Sequence, residues 1–275
     1  MFSVKDKCII ITGAGGVIGS TIAVALAKAG ARLALLDLNE EKLRLTGKEV
    51  QALGADQLTY ACNVFDVAAL EKAKAVVLKA FGRIDGLLNI AGGAGKGAST
   101  RAEFLKPDTP LEDSFFGLSL ADFQRTSDLN FMGSVVPSQV FGEAMSRLGS
   151  GQIINISSMG AFRPLSKSPA YSAGKAAVTN FTQWLAVHLS TCGIRVNAIA
   201  PGFFLTEQNR FLLYDEATGE LTPRGKRIIG HTPQGRLGNP EDLVSTVIWL
   251  LSDSSSFVTG AVIPVDGGFN AYNGI

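Results

Sequence analysis

Tyr171 and Lys175 stand four residues apart in the stretch Ala-Tyr-Ser-Ala-Gly-Lys. On a helix, positions i and i+4 share a face, so the phenol and the ammonium project together. An ammonium beside a phenol favours the phenolate and lowers its pKa. A tyrosine poised in this way can give a proton to, or take one from, an alcohol or carbonyl oxygen. Ser157 and Ser158 close the preceding apolar run, where either hydroxyl could hold that same oxygen.

These residues need a frame of strand, helix and strand. Ile153 to Ile156 reads as the first strand. Ser168 can cap the helix, and Pro169 suits its first position. Ile194 to Ala200 reads as the second strand, closed by Pro201-Gly202. A similar unit opens the chain. Lys7 to Thr12 is a short apolar run, followed by Gly13-Ala14-Gly15-Gly16-Val17-Ile18-Gly19 and an amphipathic helix to about Ala29. Glycines let a backbone approach a pyrophosphate closely, and the helix start offers free amides and a positive dipole end. Arg32 to Asp37 is the next strand. A carboxylate at its end can accept hydrogen bonds from ribose hydroxyls and would repel a 2′-phosphate. Neither Gly16 nor Leu38 supplies a compensating charge, so NAD is expected rather than NADP.

The rest of the first half keeps this alternation. Helix is expected over Asn39 to Leu53, with Asn39 as cap, and over Asp66 to Phe81. Strands are expected over Leu58 to Cys62 and Ile84 to Asn89. This order calls for a parallel sheet with helices on both faces. Ala94 to Leu118, rich in glycine, proline and charge, then breaks the rhythm. It follows a strand's carboxyl end, where open α/β sheets bind ligands, and reads as a substrate-side flap. Ser119 to about Met145 is a long helix carrying Asn130. Phe203 to Gln234 is a second irregular segment with some helix. A helix over Pro240 to Ser252, capped by Asn239, and a strand over Ala261 to Val265 complete the chain. The expected fold is a Rossmann-like doubly wound α/β sandwich of about seven parallel strands.

The length of 275 residues suits one large α/β domain, 1–275, without an internal linker. A net charge of +1 offers no field for a nucleic acid. Cys8, Cys62 and Cys192 lie far apart in apolar runs, which suggests buried thiols in a reducing cytoplasm rather than a metal site or disulfides. No leader is expected before the first strand, and no apolar run is long enough to span a membrane.

Together these residues resemble the short-chain dehydrogenase/reductase family along nearly the whole chain. Thr12-Gly13 to Gly19 looks like its glycine turn, although Val17 stands where the middle glycine usually lies. Asn89-Ile90-Ala91-Gly92 looks like its Asn-Asn-Ala-Gly element. Ser158, thirteen residues before Tyr171, matches the family's catalytic serine better than Ser157 does. The resemblance implies a tetrad of Asn130, Ser158, Tyr171 and Lys175. It implies NAD(H) contacts from Gly13, Gly15, Gly16, Val17, Ile18, Asp37, Leu38, Asn63, Val64, Asn89, Ala91, Gly92, Pro201, Gly202 and Thr206, besides Tyr171 and Lys175. Asn63 replaces an aspartate that commonly meets adenine.

Within the family, Ser-Ser-Met-Gly-Ala-Phe-Arg-Pro-Leu, Ala-Pro-Gly-Phe-Phe-Leu-Thr and Pro-Val-Asp-Gly-Gly-Phe look like the D-mannonate oxidoreductase (fructuronate reductase) group. That resemblance implies NAD(H)-linked interconversion of D-fructuronate and D-mannonate in hexuronate breakdown, by a cytoplasmic homotetramer. A sugar acid needs a cation for its carboxylate, best an arginine. Arg163 is the first candidate and Arg210 the second, with Lys96 on the insertion and Asn209 and Gln208 as hydroxyl partners. His231 suits packing better than binding. Another sugar, polyol or 3-oxoacyl substrate is the alternative, and a nucleotide-sensing protein without turnover the remoter one.

Overall fold

Cys8–Thr12 (β1) is buried along its whole length, as a central parallel strand covered on both faces must be. The computed structural model describes residues 2–206, 210–215 and 217–274, and only the backbone of Lys96 and Phe211. Val17–Lys28 (α1), Arg32–Asp37 (β2), Glu40–Ala52 (α2), Gln57–Ala61 (β3), Val67–Phe81 (α3) and Gly86–Asn89 (β4) follow in alternation. After the insertion come Leu120–Leu148 (α4), Gly151–Ile156 (β5), Pro169–Leu189 (α5) and Ile194–Pro201 (β6). Arg210–Leu213 (α6), Pro223–Gly230 (α7), Val244–Leu251 (α8) and Val262–Val265 (β7) complete the order. The expected strands and helices are present, with ends that differ by up to three residues. The helix expected over Pro240 to Ser252 is the exception, because it starts as a 3-10 turn, Pro240–Leu243, before α8.

The seven strands pair in parallel in the order β3-β2-β1-β4-β5-β6-β7. Alternate residues of each strand enter opposite cores. Ile9, Ile11, Leu33 and Leu35 join Ile22 and Leu26 of α1, Leu43 of α2 and Leu250 of α8. Ile10, Ala34 and Leu36 join Leu70 of α3, Phe141 of α4 and Leu185 of α5. This is the doubly wound sandwich that the sequence pattern calls for. Strand order reverses between β1 and β4, so the loops leaving those strands splay apart and open a crevice.

Local chemistry sets the helix starts. Asn39 accepts from the Lys42 amide at 3.0 Å, Asp66 from Ala69 at 3.0 Å and Ser119 from Asp122 at 3.2 Å. Ser168 differs from expectation. It occupies the cap position of α5, but its hydroxyl makes no capping bond and lies 3.4 Å from that of Ser99 on the insertion. Pro169 alone marks this helix start.

The insertion contains three 3-10 turns and no strand. It is tied down at a distance. Thr100 N donates to Lys167 O at 2.9 Å, and Glu103 accepts from Ser166 at 3.0 Å and from Arg227 of α7 at 2.8 Å. Cys8 and Cys62 are buried, and burial pushes their thiols up to about 12 and about 11; Cys192 is half-buried. Among the described residues no helix is long and apolar enough to cross a membrane, and no cluster of ligating side chains could hold a metal.

Candidate active site

Ser158 leaves the carboxyl end of β5 in extended conformation, and Tyr171 and Lys175 descend toward it from the first turns of α5. The Tyr171 and Ser158 hydroxyls are hydrogen-bonded. Ser158 Oγ also accepts from the Gly160 amide at 3.0 Å, which fixes its direction. Ser157 does something else. Its hydroxyl donates to Lys175 O at 3.2 Å and lies 2.7 Å from that of Thr179, so it clamps α5 to β5. Of the two serines, Ser158 is the one that meets the tyrosine.

Lys175 is buried, and Nζ donates to Ile156 O at 2.7 Å. Burial without a carboxylate partner lowers its pKa to about 8. Its Nζ lies 5.8 Å from the Tyr171 ring centre. The expected lowering of the Tyr171 pKa is not what this geometry produces. Burial raises it, and the Ser158 hydrogen bond opposes that only in part. The Lys175 ammonium donates to the Ile156 carbonyl and not to the phenol oxygen, and desolvation dominates. Tyr171 is therefore a proton-bearing phenol at neutral pH in this state.

Asn130 is fully buried in α4. Its Nδ2 donates to Gly93 O at 2.7 Å and Thr126 O at 2.8 Å, and its Oδ1 accepts from Gly93 N at 3.2 Å. It holds the chain leaving β4 against the site. A Cβ placed on Gly92 would lie 2.9 Å from Asn130 Oδ1 and 3.3 Å from Lys175 Nζ, so Asn130 and Lys175 converge there.

Ser158, Tyr171 and Lys175 line an inner cavity of about 260 Å³, with Pro201, Gly202 and Thr206. A second cavity, about 410 Å³, adjoins it at the switch point. Its walls include Gly13, Gly15, Gly16, Val17, Ile18, Asp37, Leu38, Asn63, Val64, Ala91, Gly92 and again Thr206. Sequence reasoning missed Lys42, Cys62 and Leu129 on the same walls; none of them belongs to a local motif. The residues fit a dinucleotide. Gly13 has φ +68°, and a Cβ there would lie 2.8 Å from Ala91 N, so the turn has no room for a side chain. No side chain caps α1, which leaves its first amides for a pyrophosphate. Asp37 accepts from Gly15 N at 2.9 Å and from Asn39 N at 2.8 Å, which pins its carboxylate at the mouth.

Asn89 is placed elsewhere than the resemblance implied. It is buried beneath the crevice, where Nδ2 donates to Asn155 Oδ1 at 2.8 Å and Ser138 Oγ at 2.9 Å. Asn155 in turn donates to Thr182 at 2.9 Å. This polar chain ties β4 and β5 to α4 and α5, and Asn89 lines neither cavity.

Of the cations expected to meet a substrate carboxylate, Arg163 does not line the inner cavity. It donates to Tyr272 O at 3.1 Å and faces an outer vestibule of about 520 Å³. Arg210 is exposed on α6, its guanidinium 5.5 Å from the Tyr214 ring centre, and lines neither space. Arg163 is turned to the tail carbonyl of Tyr272 and Arg210 to the ring of Tyr214, which holds both away from the inner cavity. The backbone of Lys96 opens a 3-10 turn, and its side chain lies outside the described residues, as do Gln208 and Asn209. His231 packs against Phe269 and Tyr272 with ring centres 5.0 Å away in each case, as a packing histidine would. The arginine that reaches the inner cavity is Arg224 of α7, which also lines the vestibule. No spacing in the sequence relates it to Tyr171. A further cavity of about 370 Å³ along β7 contains none of the tetrad residues, and its Arg236 is paired with Asp242 at 2.6 Å.

The family described as enoyl-(acyl carrier protein) reductase matches residues 13–270. The chain is 45% identical to an uncharacterized oxidoreductase, UxuB, of Bacillus subtilis, over 99% of this chain and 98% of that one. A provisionally named D-mannonate oxidoreductase of Haemophilus influenza, solved with bound NAD, superposes with a TM-score of 0.94 at 44% identity, covering 99% and 98% of the two chains. A 7α-hydroxysteroid dehydrogenase complexed with NADH and a 7-oxo bile acid superposes at 0.82 with 31% identity, covering 97% and 95%. Matches of this extent place the chain in the short-chain dehydrogenase/reductase family, as an NAD(H)-dependent oxidoreductase.

Proposed function

We propose that this oxidoreductase interconverts D-fructuronate and D-mannonate, with Tyr171 as the group that exchanges the proton at the reacting oxygen. The observation that carries this reading is the inner cavity itself. It is small, it holds the Tyr171–Ser158 pair, and among the described residues its wall bears positive charge and no carboxylate side chain. A space below the usual ~300–1,000 Å³ favours a short substrate over a steroid. The likeness to the provisionally named D-mannonate oxidoreductase supports the same substrate.

When bound, the dinucleotide supplies or accepts the hydride. Ser158 holds the substrate oxygen, its own direction set by Gly160. Tyr171, protonated at neutral pH, donates to the ketone oxygen in the reductive direction and takes the proton back in oxidation. Lys175 stands behind the phenol with an ammonium that the nicotinamide ribose can engage. Asn130 keeps Gly93 and Lys175 in register. The glycine turn and the first amides of α1 hold the pyrophosphate, and Asp37 the adenosine ribose. The working form is a cytoplasmic homotetramer in hexuronate breakdown. Exposed Trp184 (58%) and Val187 (77%) on α5 give it an apolar face to cover.

The test is the absorbance of NADH with purified protein and D-fructuronate, beside NADPH and beside D-tagaturonate. NADH loss with fructuronate alone is expected. Turnover only of tagaturonate or a neutral ketose would keep the chemistry and remove the substrate assignment. NADH binding with no turnover of any ketone would remove the catalytic reading.

A further inference from the structure

Arg224 has an expensive position. It lies in the first turn of α7, a helix whose start is capped by Thr222, which accepts from the Gly225 amide at 3.0 Å. A cation there opposes the helix dipole, and an acid would stabilise the helix. Arg224 is also half-buried, and burial, more than its neighbours, lowers its pKa. Yet among the described residues it makes no hydrogen bond and no ion pair.

The neighbouring carboxylate, Glu103, acts on this charge only through space and makes no ion pair with it. Glu103 is held by Arg227 at 2.8 Å and by Ser166 at 3.0 Å. The other arginines nearby are occupied: Arg163 by the Tyr272 carbonyl and Arg227 by Glu103. Arg224 alone of these stands in the wall shared by the vestibule and the inner cavity. The only other cation of the inner wall among the described residues, Lys175, is committed to Ile156 O. A guanidinium partly withdrawn from water without a directly bonded partner costs free energy, which a bound anion offsets.

We propose that Arg224 is the receptor for the substrate's carboxylate, and so the residue that selects keto acids over neutral ketoses. This rests on the acidic substrate proposed above and names the group that reads it. The planar fork accepts both carboxylate oxygens, while Ser158 and Tyr171 hold the ketone oxygen. A small carboxylate substrate is thereby held at two ends, which sets the carbonyl's position for hydride transfer. The vestibule, with Arg163, Arg224 and Arg227 against Glu103, draws anions toward that wall.

The experiment compares kcat/KM for D-fructuronate and for its neutral primary amide, at saturating NADH, in wild type, Arg224→Gln and Arg224→Lys. NADH affinity and the thermal melt of each variant report folding. Wild type is expected to favour the acid. Arg224→Gln should lose roughly 10- to 100-fold on the acid, mainly through KM, and little on the amide. Arg224→Lys should recover part of that loss, because it restores the charge without the fork. An Arg224→Gln enzyme that discriminates as well as wild type overturns the proposal and leaves the acidic substrate standing. If both single variants melt early, the wild-type ratio measured against ionic strength replaces them. A preference for the acid that falls with salt supports an anion receptor, and a salt-independent one overturns it. A wild type that turns over the amide as fast as the acid overturns the acidic-substrate reading, and this proposal with it.

Discussion

The crevice has two sides built in different ways. On the dinucleotide side the walls come from consecutive turns between β1 and β4, and the binding groups are mostly backbone. Gly13, Gly15 and Gly16 bring the bare backbone of the turn to the cavity, the first amides of α1 present N–H groups, and the one carboxylate among the described wall residues, Asp37, is itself pinned by the amides of Gly15 and Asn39. On the substrate side the walls come from the insertion, the loop before α5, the segment around α7 and the tail. These are joined by side chains, Glu103 to Arg227 and Ser166, and Arg163 to Tyr272 O. Backbone donors are the same whatever the residue type, so the first side keeps one ligand across relatives. Side-chain joints change with every substitution, so the second side can be refitted to new substrates. The bile-acid enzyme that superposes at a TM-score of 0.82 illustrates this, because its complex shares the NADH but takes a steroid.

Tyr171 offers the sharpest way to separate the two sides. Tyr171→Phe should lower kcat by about 100-fold or more with every ketone tried, while NADH affinity stays near wild type. Steady-state kinetics beside NADH fluorescence titration checks this. A large loss of NADH binding would mean that the two sides are not separable at this residue.

Lys175 lies where the sides meet, and its burial costs stability. The folded chain releases its proton near pH 8, whereas an ordinary lysine holds it to 10.5. The unfolded chain therefore binds more protons between those values, and stability should rise with pH across that window. Below pH 8 both states carry the charge and the full cost, about 3 kcal/mol, remains. Lys175→Met should therefore raise stability at pH 7 by about 2 kcal/mol, after about 1 kcal/mol is lost at the orphaned Ile156 carbonyl. Urea unfolding at pH 7 and pH 10 tests this, because the advantage should shrink at the higher pH. Activity should fall in the same variant, which would mark the ammonium as kept for function.

The smallest effect is expected at Arg163. Its contact is one backbone carbonyl at the vestibule's outer rim. Arg163→Ala should change kcat/KM for fructuronate by no more than about 3-fold, the scale of an exposed charge. A loss as large as that of Arg224→Gln would move the carboxylate to the vestibule and erase the boundary drawn between the two sides.

Much of this was legible in the chain. Tyr171 and Lys175 share a face because four residues make about one helical turn, and no distant contact is needed. The glycine turn and Asp37 were legible for the same reason, since a turn's backbone path is local. Ser158 needed the resemblance, because two adjacent hydroxyls at a strand end point to opposite faces and the sequence does not say which face meets α5. Asn89 was misplaced by the resemblance. Its motif lies next to the crevice, but the strand's alternation turns its amide into the core toward Asn155 and Ser138.

The sequence alone determined the alternating strands and helices, the parallel sheet, the glycine turn and the Tyr171–Lys175 pair, all set by periodicities of a few residues. Only the tertiary structure decided which arginine meets the inner cavity. Arg163, Arg210 and Arg224 look alike in sequence, each on an irregular stretch beyond β5 or β6. What distinguishes them is packing between segments far apart in the chain. Glu103 of the insertion takes Arg227, the tail carbonyl takes Arg163, Tyr214 takes Arg210, and Arg224 is left facing inward. Partner choice among like charges depends on which groups come close in the folded chain, and local spacing carries no record of that.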